Sequence, residues 1–222
     1  MKNVFLFLEA ALETVPAEIA RHPAIKADAR RRKKKPYEII LDDSKHHSAM
    51  KNLRNREKRG RPDILHHSLL LLLDSPASED FEIYIHTIHG TIIYVNSRTR
   101  LPRNYNRFIG LMEDLFKKRE IVANNEVLLK VTNLDLEDVV LGREVIVLSE
   151  KGEFGEEYLR EAFKRNFAVC VGAFPHGDFS EGVIRKLKDS KFVSLGPISY
   201  TSLYVTSKIL CVYERIRTAK NN

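Results

Sequence analysis

The chain has 222 residues, of which 43% are hydrophobic and 30% charged. That composition suits one large folded domain, or one domain with an extension, and excludes a disordered chain. The net charge is +7, and the longest aliphatic run, Leu69–Leu73, falls far short of the roughly 18 apolar residues that a membrane-spanning helix needs.

Two cysteines, Cys170 and Cys211, both lie in apolar stretches. They cannot form a disulfide framework or a cysteine zinc site, so the chain reads as a cytoplasmic protein with reduced thiols. Met1–Glu9 lacks the basic start and cleavage site of a signal peptide. In chain order, Asn3–Glu9 predicts a buried strand. Pro16–His22 predicts the start of a helix, with proline at an early position. Tyr37–Leu41 predicts a second strand. Asp42-Asp43-Ser44 would cap a helix running from about Lys45 to Arg56. Arg59-Gly60-Arg61-Pro62-Asp63 breaks that helix. A leucine-rich helix follows to about Leu73 and is ended by Asp74-Ser75-Pro76.

Phe81–His86 and Thr91–Val95, separated by a stretch containing Gly90, predict a hairpin. Arg98–Asn104 is a basic loop. Asn106–Arg119 sets Phe108, Ile109, Met112, Leu115 and Phe116 on one side of a helix. Beyond Val127, strands at Leu128–Val131, Val145–Leu148, Phe167–Val171 and Phe192–Leu195 alternate with helices at Glu156–Arg165, Gly182–Lys188 and Ser199–Arg217. This alternation predicts an α/β fold with a mostly parallel sheet flanked by helices. No repeat or linker divides the chain. A single domain over 1–222 is expected, with a basic insertion at about 21–61 and a β-hairpin with basic loop at about 81–107.

The charge is unevenly placed. Residues 21–61 hold 15 Lys/Arg against five Asp/Glu, and residues 98–119 hold seven against two. Residues 120–165 reverse the balance, with six bases and eleven acids. A chain polarised in this way presents a basic face to a polyanion, and nucleic acid is the first candidate. The plainer reading of Arg30–Lys35 alone is a solvated loop. That run carries no apolar residue, which disfavours a membrane surface. No metal is expected. His46-His47 and His66-His67 are adjacent pairs whose side chains point apart, and no HExxH occurs.

Three strands run into glycine-containing segments: Ser149–Gly152, Gly172–Gly177 and Gly196–Tyr200. In parallel α/β sheets, ligands lie beyond the carboxyl ends of the strands, and glycine lets backbone approach them. Each segment alone is an ordinary turn, but three on one sheet edge favour a ligand site. None is a P-loop or a GxGxxG, which disfavours ATP and dinucleotides.

Several runs together carry a family resemblance: Arg59–His66 (RGRPDILH), Leu71–Pro76 (LLLDSP), Ile83–His86, Asn96–Arg107, Gly172–Phe179 (GAFPHGDF) and Ser199–Glu214. The chain resembles the pseudouridine-N1-specific small-subunit rRNA methyltransferases of the SPOUT superfamily, in their archaeal form, which act in ribosome biogenesis. The resemblance implies a C-terminal trefoil knot, S-adenosylmethionine as cofactor, and a homodimer. It implies donor contacts at Gly152, Gly172, Gly177, Leu195, Gly196, Pro197, Ile198, Ser199, Tyr200 and Leu203, the last near the adenine. It implies rRNA contacts at Arg61, Arg100, Arg103 and Arg107, with Asp63 holding Arg61. The plainer role for Asp63 is a helix-start acid after Pro62, worth about 0.3–1 kcal/mol. Arg100, Arg103 and Arg107 have the spacing of one helix face, which Pro102 interrupts. No general base is assigned. His176 reads as a loop-shaping residue before a catalyst. Two alternatives remain open: a SPOUT methyltransferase acting on tRNA or a ribose 2′-hydroxyl, and a non-catalytic rRNA-binding assembly factor. The arginines lie in the N-terminal half and the donor segments in the C-terminal third, which predicts two separable binding events.

Overall fold

A computed structural model describes residues 2–221 and places eight strands in one sheet. They are β1 (Asn3–Ala10), β2 (Phe81–Thr87), β3 (Ile92–Val95), β4 (Glu120–Ala123), β5 (Glu126–Val131), β6 (Glu144–Phe154), β7 (Phe167–Gly172) and β8 (Lys191–Ser194). Their order is β4-β5-β3-β2-β1-β7-β6-β8. The neighbours from β2 through β1, β7 and β6 to β8 run parallel. The pairs β2–β3, β3–β5 and β4–β5 run antiparallel. The sheet is mixed: it is parallel where strands alternate with helices and antiparallel on the hairpin side.

The central strands are apolar throughout because both of their faces are covered. In β1, Phe5 and Phe7 pack into one layer while Val4, Leu6 and Leu8 pack into the other. In β7, Phe167, Val169 and Val171 take the first layer and Ala168 and Cys170 the second. The first layer is closed by α3 (Pro62–Asp74), α4 (Tyr105–Lys118), α6 (Glu156–Ala162) and α8 (Ser202–Asn221). The second is closed by α5 (Leu136–Val140) and α7 (Glu181–Lys186). The basic segment between β1 and β2 has a small core of its own. There, α1 (Pro23–Arg31) and α2 (Asp43–Met50) pack Ile25, Ala29, Ala49 and Met50 with Val15, Ile39, Leu41 and Leu53.

Several local expectations are corrected. Tyr37–Leu41 is not a strand: Pro36–Glu38 is a 3-10 turn, and Ile40 makes only an isolated bridge to Thr14. The backbone there is claimed from elsewhere. The Ile40 N–H donates to Glu113 Oε1 at 3.0 Å, and the Leu41 N–H donates to the Glu13 carbonyl at 3.0 Å. Pro16 is followed only by the 3-10 turn Ala17–Ile19. The helix starts at Pro23, capped by His22, whose Nδ1 accepts from the Ala24 N–H. The next helix stops at Met50, and Asn55 stands in the left-handed region at φ +53°. The last one starts at Ser202 rather than Ser199. Strand β4 was missed. It is a largely exposed edge strand, joined to β5 through Asn124 and Asn125, both at positive φ, as a two-residue hairpin requires.

The run Arg30–Lys35 is not a free loop. Arg30 and Arg31 end α1, while Arg32 (2.5 Å) and Lys34 (2.7 Å) reach Glu113 Oε2. That carboxylate is 1% exposed.

The fold buries three histidines, His46, His66 and His86. Burial holds each below the ordinary imidazole value. In the unfolded chain they protonate near about pH 6.5. The unfolded state then binds more protons than the folded one, so stability falls as pH drops below that value. Each histidine adds at most about 1.4 kcal/mol per pH unit to that slope. Glu13, Asp28 and Asp42 act in the same direction at lower pH. Burial raises each, but hydrogen bonds outweigh it: from Arg59 and His89 to Glu13, from Arg31 to Asp28, and from Ser44 and Tyr105 to Asp42. Urea midpoints at pH 7.5, 6 and 5 check this, and a midpoint constant across the series would refute it.

Candidate functional site

Strands β6, β7 and β8 run parallel, so their carboxyl ends meet on one edge of the sheet, where α/β folds place ligands. A cleft of about 860 Å³ opens there. Pockets for small molecules span about 300–1,000 Å³. Its floor is Leu148 at the turn-off of β6, Val171 and Gly172 at the end of β7, and Val193 and Ser194 at the end of β8. One wall is the loop 174–179 and another is the loop 195–201. The third comes from a distant part of the chain, Arg61, Asp63, Ile64 and His67 at the start of α3.

Of the donor positions expected from the sequence, Gly172, Gly177, Leu195, Ile198, Ser199, Tyr200 and Leu203 line this cleft. Gly196 and Pro197 belong to the same loop without lining it. The turn is closed by Ser194, whose Oγ donates to the Gly196 carbonyl at 2.6 Å and accepts from the Gly196 N–H at 3.2 Å. Ser202 Oγ donates to the Gly172 carbonyl at 2.5 Å, tying the first turn of α8 to the end of β7. Gly177 has φ +91°, where a side-chain-bearing residue is strained. Gly152 stands apart. It lies within β6, not in a loop, and a Cβ there would sit 2.6 Å from the backbone of Phe192 and Val193. Its place is the close approach of β6 to β8.

Arg61 Nε and Nη2 each donate to Asp63, at 2.8 Å, in a bidentate fork. Arg103 Nη2 donates to Asp74 at 2.9 Å. Arg100 and Arg107 are exposed. Arg100 and Arg103 stand in the loop before α4, and only Arg107 is on the helix, so the three do not share one helix face. The loop is nonetheless docked. His66 Nε2 donates to the Pro102 carbonyl at 2.7 Å, and its ring stacks on Phe108 at 4.3 Å. Tyr105, the first residue of α4, donates its hydroxyl to Asp42, the cap of α2, at 2.9 Å. The Asp43 N–H donates to the Gly60 carbonyl at 2.8 Å. The starts of α2, α3 and α4 are thereby pinned together, and the arginines gather around them.

The expected separation of the arginines from the donor segments fails for Arg61, which lines the same cleft. Sequence reasoning also passed over three cleft residues. His67 enters the sequence reading only as half of a poor metal-binding pair, although Ile64 and His67 stand three apart on one face of α3, next to Arg61 at its cap. The other two are Lys151 on β6 and Asp178 on the loop after β7, which pair across the cleft mouth at 2.5 Å. Among the described residues, no group of three or more His, Cys, Asp or Glu is placed to hold a metal ion.

The family model described as EMG1/NEP1 methyltransferase matches residues 5–214. The chain is 58% identical over 220 residues to the ribosomal RNA small subunit methyltransferase Nep1 of Archaeoglobus fulgidus, covering 99% of each chain. It is 46% identical over 223 residues to the protein of the same name from Saccharolobus solfataricus, covering 99% of this chain and 96% of that one. The crystal structure of Archaeoglobus fulgidus Nep1 bound to S-adenosylhomocysteine superposes with a TM-score of 0.95 at 58% identity, covering 98% of this chain and 100% of that one.

The close approach at Gly152 has a direct test. Gly152→Ala forces β6 and β8 apart and is expected to cost about 1–3 kcal/mol, the usual range for overpacking. Urea unfolding measures this, and a variant as stable as the wild type would show that the two strands can separate freely.

Proposed function

The chain belongs to the EMG1/NEP1 methyltransferase family, and from that premise we propose that it methylates small-subunit rRNA from S-adenosylmethionine, at N1 of a pseudouridine. The observation that carries the reading is the cleft at the ends of β6, β7 and β8, in a chain so similar to one crystallised with S-adenosylhomocysteine. The residues fit such a donor. Leu195, Ile198 and Leu203 offer apolar surface for an adenine ring, the loops offer backbone polar groups, and Glu150 offers negative charge to a cationic sulfonium.

When bound, the donor supplies an electrophilic methyl group. The chain's part is to hold donor and acceptor in line, an advantage worth up to roughly 7–11 kcal/mol. Pseudouridine is joined to its sugar through carbon, which leaves N1 free to accept a methyl group once its proton departs. His67 and His176 border the cleft, and neither has a hydrogen-bond partner among the described contacts that would mark it as a base. The acceptor base must leave any stack to reach the cleft, which favours an unpaired rRNA loop. Arg61, Arg100, Arg103 and Arg107 are proposed to take its phosphates. The fork from Asp63 holds Arg61 in one rotamer before RNA arrives, so less side-chain freedom is lost on binding.

The proposal includes a homodimer, a C-terminal knot and a cytoplasmic setting. Exposed Ile198, Leu203 and Tyr204 beside the cleft, and a groove of about 790 Å³ lined by Leu71, Leu210 and Cys211, support an α3–α8 interface between two copies. The return of α8 to the end of β7 after β8 has paired on the far side of β6 supports the knot. No helix among the described residues is long and apolar enough to cross a membrane.

Transfer of tritiated methyl to short rRNA hairpins tests the acceptor. Label is expected in the pseudouridine hairpin and not in its uridine twin, whose N1 carries the sugar. Label in both would favour ribose methylation, and label in neither would favour a non-catalytic binding role.

The role of Asp63 is tested by Asp63→Asn, which removes a negative charge. Charge alone would tighten rRNA binding. Loss of the fork is expected instead to weaken it, by less than Arg61→Ala does. Filter binding over a salt series reads both variants, and Arg61→Ala should reduce the slope by about one unit. Tighter binding by Asp63→Asn would refute the preorganising role.

A further inference from the structure

Lys58 is an unusual member of the basic segment, since its side chain is only 9% exposed. It sits just before α3, at the end of the 3-10 turn Arg56–Lys58. Its ammonium donates to Glu9 Oε2 at 2.7 Å and to the Asp178 carbonyl at 2.7 Å, and lies 4.1 Å from the centroid of the Phe174 ring. Its methylene stem runs beneath Gly177. Glu9 in turn accepts from the Ser180 N–H at 3.0 Å through the same oxygen that Lys58 binds. A buried ion pair therefore uses its spare hydrogen-bonding capacity on the loop that walls the cleft.

The loop has two other fixed points. At its start, Ala173 exchanges backbone hydrogen bonds with β1, donating to the Leu8 carbonyl and accepting from the Ala11 N–H, both at 2.9 Å. At its end, Ser180 caps α7. Between them lie Phe174, Pro175, His176, Gly177, Asp178 and Phe179, all of which border the cleft. Lys58 is the buried group that grips this span, by a backbone carbonyl and by an aromatic face. Glu9 stands at φ +49°, where β1 slips register against β2 between Phe7 and Ala10. Three residues beyond Lys58, Arg61 lines the same cleft from the other side.

We propose that Lys58, with Glu9, is the positioning residue for the donor loop, and that it couples this loop to the basic segment that carries Arg61. The inference rests on the reading of the cleft as the S-adenosylmethionine site. It assigns Lys58 a task different from that of the other bases of its segment: it meets no phosphate and shapes the donor site from below.

The test uses the full chain and S-adenosylhomocysteine in calorimetry. Lys58→Met alone strands a buried carboxylate and threatens the fold, so the informative variant is Lys58→Met with Glu9→Gln, which removes both charges and keeps an acceptor for the Ser180 N–H. This double variant is expected to melt close to the wild type and to bind S-adenosylhomocysteine roughly tenfold to a hundredfold more weakly, the scale of a slightly misplaced positioning group. The KM for the donor should rise with kcat little changed, and rRNA affinity should hold. A general structural role would instead lower the melting temperature and both affinities together. A well-folded double variant that binds S-adenosylhomocysteine as tightly as the wild type overturns the proposal. A wild-type protein that does not bind it overturns the reading of the cleft, and this inference with it. Hydrogen exchange on the wild type gives a readout independent of any variant. Adding S-adenosylhomocysteine should slow the amides of 56–59 as well as those of 174–180, and unchanged exchange at 56–59 overturns the coupling.

Discussion

Three buried glutamates decide where the basic half of the chain can go. Glu9, Glu13 and Glu113 have side chains 5%, 2% and 1% exposed, and each is multiply paired. Glu9 takes Lys58. Glu13 takes Arg59 through two hydrogen bonds, at 2.8 and 2.6 Å, and His89 at 2.7 Å. Glu113 takes Arg32, Lys34 and the Ile40 N–H. Compared with well-packed apolar residues such pairs add little net stability, yet losing one partner costs about 3–5 kcal/mol because a charge is left buried alone. They act by specifying position. Glu9 and Glu13 lie at and just beyond the end of β1, the strand buried on both faces, so the segment they hold is fixed against the carboxyl edge of the sheet.

That anchoring changes the meaning of the charge surplus. Arg32, Lys34, Lys58 and Arg59 face inward onto carboxylates and are lost to any outside partner. Arg61, which lines the cleft, and the exposed Arg100, Arg103 and Arg107 remain outside. Arg61 follows Arg59 and Gly60 directly, so the buried Arg59–Glu13 pair fixes the point from which its side chain leaves the backbone. Helices starting at Asp43, Pro62 and Tyr105 bring their positive ends to the same neighbourhood, where the carboxylates of Asp42 and Asp63 offset part of that charge.

The parts of this fold that could be read in the sequence are those decided locally or by burial on both faces. The apolar runs at Asn3–Glu9 and Phe167–Val171, the leucine-rich helix after Pro62 and the hairpin around Gly90 all stand where they were expected. Tyr37–Leu41 failed because its backbone is claimed by Glu113 and by the Glu13 carbonyl, and neither partner is visible from a window around it. Strand β4 failed because an exposed edge strand carries no apolar signature, and the turn at Asn124-Asn125 was not read. The glycines at the ends of β7 and β8 stand on the sheet edge where the cleft opens. The third wall, from α3, was hidden by a separation of roughly a hundred residues along the chain. Lys58 was hidden among fifteen bases, since nothing in a lysine's neighbours in sequence says that it is buried.

The register of β6 accounts for the remaining feature of the cleft. Leu148 and Glu153 both stand opposite Val193 of β8, so residues 149–152 fall outside the ladder and the strand resumes beyond them. An ordinary turn would end the strand there and leave a mobile loop. The bulge instead holds the cleft rim, Ser149, Glu150 and Lys151, between two paired stretches of the same strand pair, and Lys151 reaches across to Asp178. Residues 149–152 stand outside that register, and polar backbone groups need a partner of some kind, whether strand, water, side chain or ligand. One is met locally, by Ser149 Oγ accepting from the Lys151 N–H at 3.2 Å. Gly152 makes the return possible, since no side chain fits between β6 and the backbone of Phe192 and Val193. The glycine that resembled a ligand contact thus works one step removed: by letting the strands close again, it fixes the rim in front of them.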